Sequence, residues 1–153
     1  MLLWQQAVTD RTQSDVKRVV ELMEKQWQDF SDDEKAEWNS GMKGALNTSD
    51  LERIRSNTQL ISDVLDIGLD VPDVPELRNE SYFAKVLENI EIIRSTYMVH
   101  STTPATPEAP LNTYEKWNDI EKILEDVYEI LLNNFHYYCG SEIYAGDDTG
   151  LLL

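Results

Sequence analysis

The chain is poor in cysteine, histidine and positive charge. Cys139 is its one cysteine. No internal disulfide can form, so synthesis in a reducing cytoplasm is expected. Thirteen Lys and Arg face 29 Asp and Glu, a formal net charge of -16. A surface this acidic repels phosphate backbones and anionic bilayers, which argues against nucleic-acid and membrane partners. It favours solubility, or docking to a basic partner. Long apolar runs are missing too. Nothing approaches the roughly 18 apolar residues of a membrane span. The opening Met-Leu-Leu-Trp has no basic flank and does not read as a signal peptide.

Catalytic motifs are equally scarce. There is no phosphate-binding loop, no GxSxG and no HExxH. His100 and His136 are the two histidines. His136 stands three residues before Cys139, but one His-x-x-Cys lacks the second ligand pair of a zinc site. Cys139 as a nucleophile would need a histidine held beside it and an oxyanion hole, and no Gly-rich signature supplies one. Asp63, Asp66 and the Asp147-Asp148 pair follow a solvent-face rhythm. GDDTG lacks the alternating ligands of a calcium loop. No catalytic, cofactor-binding or metal-binding residue is assigned, and no small-molecule substrate is expected.

What the chain does have is helical periodicity. With 41% hydrophobic and 9% aromatic residues, its 153 residues suit one domain with a real core. Val16, Val19, Val20, Met23, Trp27 and Phe30 fall at helical spacing behind Thr12 or Ser14 as caps. Ser31-Asp-Asp-Glu34 is a capping box opening a short helix that ends at Gly41 and Gly44. Thr48 or Ser49 caps a helix carrying Leu51, Ile54, Ile61, Val64 and Leu65, broken by Gly68, Pro72 and Pro75. A third long helix carries Phe83, Val86, Leu87, Ile90, Ile93 and Tyr97, starting between Pro75 and Ser81. A fourth begins at Thr113 and carries Trp117, Ile120, Ile123, Leu124, Val127, Ile130 and Leu131. From Phe135 the composition turns aromatic and glycine-rich, as in an extended tail.

The long helices repeat one pattern. Val16, Leu51, Phe83 and Trp117 are equivalent first positions. Apolar residues recur three, seven, ten and fourteen residues on, with Thr58 and Gln26 as polar exceptions. LNTSDLERI and LNTYEKWNDI open two of the helices with the same three residues. Such a stripe is the seam of packed antiparallel helices, and the echo suggests duplication. The predicted fold is all-α: four to five amphipathic helices in repeated helical hairpins or a bundle, with an extended C-terminal tail. Residues 1–98 form the N-terminal helical region. Residues 99–112 are a Pro/Thr linker, 113–136 the fourth helix on the same domain, and 137–153 the tail. Pro104, Pro107 and Pro110 share one edge of a polyproline II segment, read as a stiff strap.

Trp4, Trp38, Tyr114, Tyr137, Tyr138 and Tyr144 lie off the clean stripes. They are candidate interface residues, because Trp and Tyr are favoured contact anchors.

Several phrases occur in a telling order: Trp4-Gln-Gln-Ala-Val-Thr-Asp-Arg-Thr12, Asp15-Val-Lys-Arg18, Lys43-Gly-Ala-Leu-Asn-Thr-Ser-Asp-Leu-Glu-Arg-Ile54, Leu111-Asn-Thr-Tyr114 with Ile120-Glu-Lys-Ile-Leu124, and Gly140-Ser-Glu-Ile-Tyr-Ala-Gly146. Together they resemble a family of small structural proteins of phages and prophages of Gram-positive, largely clostridial, bacteria. The resemblance implies a non-enzymatic part of the tail or tail tip, made in the host cytoplasm and carried in the virion. Its partners would be other tail proteins and further copies of itself. The alternative is an acidic adaptor that occupies a basic host protein in the manner of a DNA mimic.

Overall fold

The computed structural model describes residues 2–139, with side-chain surroundings through residue 134. The tail from 140 onward, with Tyr144, lies outside the described residues. Among the described residues there are five α-helices: α1 (Gln13–Met23), α2 (Asp32–Asn39), α3 (Thr48–Leu65), α4 (Glu80–Thr96) and α5 (Tyr114–Cys139). The chain is all-α, as its periodicity predicted.

The core is a bundle of three helices. α3, α4 and α5 each pack against the other two. Leu51, Ile54, Ile61, Val86, Ile90, Ile93, Trp117, Ile120, Leu124 and Val127 are buried there. These are the stripe positions, so the heptad-like alignment of the three helices locates the core correctly.

Their direction is not the expected one. Phe83 meets Trp117 edge-on at 5.7 Å, and the Asn134 amide donates to Tyr97 Oη at 2.6 Å, so α4 and α5 meet start to start and end to end. Arg53 lies 2.6 Å from Glu121, while Ile61 and Val64 share a hollow with Tyr128 and Leu131. α3 and α5 are therefore also parallel. Ile54 and Thr58 line a cavity with Tyr82 and Asn89, which sets α3 parallel to α4. The helices are not antiparallel hairpins.

Parallel neighbours need a long return, and the chain supplies one for two of the three grooves. An 18-residue helix is roughly 27 Å long, which an extended segment of a dozen residues easily retraces. Residues 66–79 run back between α3 and α4. The Leu69 amide donates to Ser62 Oγ, Asn89 donates to the Asp70 carbonyl, and Arg55 pairs with Asp73. Residues 97–113 run back between α4 and α5. Arg94 donates to the Pro104 carbonyl and Thr103 to Asp126. This segment holds the residues 99–112 read as the linker, and has a cis bond at Ala109–Pro110. Residues 2–12 fill the third groove, between α3 and α5. Trp4 stacks on Tyr128 at 4.2 Å and 3°. The Gln5 amide and carbonyl both pair with Asn57, and the Val8 amide donates to Glu121. The architecture is therefore a strap and a helix, three times over.

Residues 13–46 are an excursion between the first strap and its helix. They close a small second core of Val19, Leu22, Phe30 and Met42. The predicted first helix was to share the common stripe out to Phe30. Instead α1 stops at Met23, which is 67% exposed. Glu21 and Glu24 at its C-terminal end oppose the helix dipole, with no basic residue in the last turn. The Trp27–Asp29 turn then folds Phe30 back into the second core. Gly44 makes this closure possible, because a Cβ there would lie 2.2 Å from the Asp15 carbonyl oxygen.

Caps largely follow the sequence. Thr12 caps α1, and Ser31 with Glu34 forms the predicted box. Gly41, at φ 83°, takes the left-handed position after α2. Both predicted boundaries of α3 move. Asn47, not Thr48 or Ser49, precedes α3 as its cap, and Asp66 rather than Gly68 ends it in the left-handed region at φ 52°. α5 runs on to Cys139, so the backbone of Tyr137 and Tyr138 is helical and does not belong to an extended tail.

Candidate functional site

The most elaborate polar constellation was not singled out from the sequence. Arg11 comes from the first strap, Asp50 and Arg53 from the first turns of α3, and Glu121 from α5. Acids and bases alternate around a closed ring. Arg11 lies 2.9 Å from Glu121 and 3.2 Å from Asp50, and Arg53 lies 2.6 Å from each of the same two acids. Glu121 is 1% exposed. Around the ring the fit continues. Arg11 Nη1 donates to the Val8 carbonyl at 2.7 Å, and the Arg11 backbone pairs in both directions with the Asn118 side chain. The Asn47 amide donates to Asp50.

Burial by itself pushes the Asp50 carboxyl up. The Asn47 amide, Arg53 and Arg11 outweigh it and hold Asp50 below the ordinary aspartate range. Burial likewise disfavours the charge on Arg53, but Glu121 and Asp50 reverse the effect and raise it. A carboxyl held low and hydrogen-bonded on both oxygens is a poor general acid at neutral pH. The ring locks the strap to two helices. A buried ring demands that every charge keep its partner, because an orphaned one costs several kcal/mol, on the order of 3 to 5.

The residues carrying the ring sit in the phrases singled out above: Arg11 in WQQAVTDRT, Asp50 and Arg53 in DLERI, Glu121 in IEKIL. Arg18, from DVKR, pairs instead with Glu37 at the surface of the excursion. Pattern reading missed the ring because its members are separated by up to 110 positions. A hint was available: Asp50, Arg53 and Asn57 lie on the turns of α3 that also carry the apolar stripe.

Of the predicted interface residues, the three with described side chains, Trp4, Trp38 and Tyr114, lie on different parts of the fold. Trp4 is half-buried in the framework. Tyr114 lines a cleft of ≈ 420 Å³ with Leu46 and Leu111, so the two Leu-Asn-Thr phrases face one another across it. Trp38 is 38% exposed and stands edge-on to Phe30 at 5.9 Å. The side chains of Tyr137 and Tyr138 are outside the described surroundings. Two exposed apolar areas include residues read as parts of apolar stripes: Val20, Met23 and Trp27 on the excursion, and Val64, which lies beside Leu2 and Leu3 at the far end of the bundle. The latter rims a hollow of ≈ 240 Å³.

Among the described residues, two buried side-chain atoms have no protein partner, Arg55 Nε and Asn89 Oδ1. Both residues line a cavity of ≈ 10 Å³, about the space of one water. A second cluster lies between the third strap and α5, where His100, Asp126 and Glu129 bring their ligand atoms within 4.8 Å of one another. No helix among the described residues is long and apolar enough to cross a membrane.

No family model matches the chain, and neither a curated protein nor a solved structure matches it.

Proposed function

We propose that this chain is a non-enzymatic structural component of a phage or prophage virion, a part of the tail or its host-attachment tip, working through protein–protein contacts. One observation carries the reading. Three of the five phrases that bear the family resemblance each place charged residues in one buried ring that holds the protein's own framework: Arg11, Asp50 with Arg53, and Glu121. A part copied into an assembly needs that kind of rigidity, and the resemblance supplies the setting. Three parallel helices tied by three straps form a stiff rod segment with distinct ends. Exposed apolar residues at Val20, Met23 and Trp27, and around Leu2, Leu3 and Val64, offer contact areas for neighbouring tail proteins or further copies.

Purified particles from an induced lysogen, analysed by quantitative mass spectrometry, test this. The chain is expected in the particles at a fixed multiple of the other tail proteins. Its absence from particles, with a soluble basic host protein bound instead, would replace this reading with the acidic adaptor that the -16 charge also suits.

A further inference from the structure

We propose that His100, Asp126 and Glu129 form a divalent transition-metal site that pins the third strap to α5. Asp126 and Glu129 lie three apart on α5 and so on one face. His100 reaches them from the strap, and the three ligand atoms lie within 4.8 Å of one another. A zinc ion holds nitrogen and carboxylate oxygen at about 2.0 to 2.2 Å, so ligand atoms around one ion lie roughly 3.3 Å apart. Closing the gap takes a shift of about 1 to 1.5 Å in the His100 and Glu129 side chains. His100 and Glu129 are exposed and free to make it.

Asp126 is already fixed. It is 1% exposed and accepts a hydrogen bond from the Thr103 hydroxyl. Thr103 also orders the turn that carries His100, accepting from the His100 amide at 3.1 Å while its own amide donates to the His100 carbonyl at 3.0 Å. A ligating carboxylate held by an outer hydrogen bond, with the imidazole delivered by the same residue, is the support that metal ligands need. Lys122 occupies the other side of Asp126 at 2.8 Å, but it also reaches Glu125 at 3.2 Å. An arriving dication displaces Lys122 toward Glu125 and leaves no charge stranded. One imidazole with two carboxylates suits zinc and its neighbours over magnesium, which prefers all-oxygen shells.

Calorimetric titration of the full chain with ZnCl2 tests the site. A Cys139→Ser background removes the one thiol that would compete. One equivalent is expected to bind. His100→Ala, at an exposed position, should weaken binding about tenfold or more with unchanged far-UV circular dichroism. Glu129→Gln should weaken it as well, Lys122→Ala should tighten it, and MgCl2 should give no matching saturation. Zinc affinity indifferent to His100→Ala, or magnesium binding as well as zinc, would reduce the cluster to counter-ion attraction by an acidic surface and overturn the proposal.

Discussion

Removing Arg11 should cost far more than removing any surface charge. Its guanidinium is 4% exposed and serves Glu121, Asp50 and the Val8 carbonyl at once. In Arg11→Ala the two acids keep Arg53 alone, so one negative charge stays buried without its share of compensation. Deleting one partner of a buried pair costs about 3 to 5 kcal/mol. Because Arg53 remains within 2.6 Å of both acids, the low end applies, about 3 kcal/mol. For a domain of this size each kcal/mol moves the melting temperature by roughly 2 to 4 °C, so a fall of about 6 to 12 °C is expected. Urea unfolding followed by tryptophan fluorescence gives the free energy. Arg18→Ala is the control. That side chain pairs with Glu37, Glu34 and Glu21 while 41% exposed, and solvent screens such pairs, so its midpoint should stay near the parent's. The double variant Arg11→Met with Glu121→Gln should recover part of the loss, because no lone charge is left inside. An Arg11→Ala cost below about 1 kcal/mol, the value of an exposed pair, would mean that water reaches the ring, and the buried-clamp argument would fail.

Three further outcomes follow from the same framework. Asn57→Ala breaks both bonds to the Gln5 backbone and should cost about 2 kcal/mol, with amide exchange at Gln5 accelerating beyond the global effect. Gly44→Ala drives a Cβ into the Asp15 backbone. It should destabilise by about 1 to 3 kcal/mol, and limited proteolysis should then cut first within residues 13–46. Asp50 has a lowered pKa in the folded chain. Its contribution is therefore complete above the unfolded value of about 3.9 and drains away as pH falls from there through the lowered native value. Stability measured from pH 6 down to pH 2 should fall less steeply in Asp50→Asn, and parallel curves would contradict the shift.

Much of the fold was legible in the sequence because the signals are local. The apolar stripe of α3, α4 and α5 follows from residue spacing along each helix, and most buried members of the core are predicted stripe residues, Tyr82 being an exception. The capping box at Ser31 and the left-handed Gly41 are likewise decided by a few neighbouring residues. The stripe of α1 had the same period and did not join the common core. Periodicity shows that a helix has an apolar face but not which surface covers it, and here a turn at Trp27 folds Phe30 onto Leu22 instead.

Direction, pairing and chemistry were settled only in three dimensions. A heptad-like stripe suits parallel and antiparallel neighbours equally, so the sense of packing depended on whether the proline-bearing connectors turn sharply or run back. They run back, and each fills a groove. The ring of Arg11, Asp50, Arg53 and Glu121 depends likewise on a strap lying in its groove, since residues 2–12 carry Arg11 between α3 and α5. His100 meets Asp126 and Glu129 for the same reason. The sequence by itself determined which residues form helices and which faces are apolar, because those follow from contacts within a turn or two. The tertiary structure decided which charges are buried together, because desolvation and pairing arise only when distant segments close on one another.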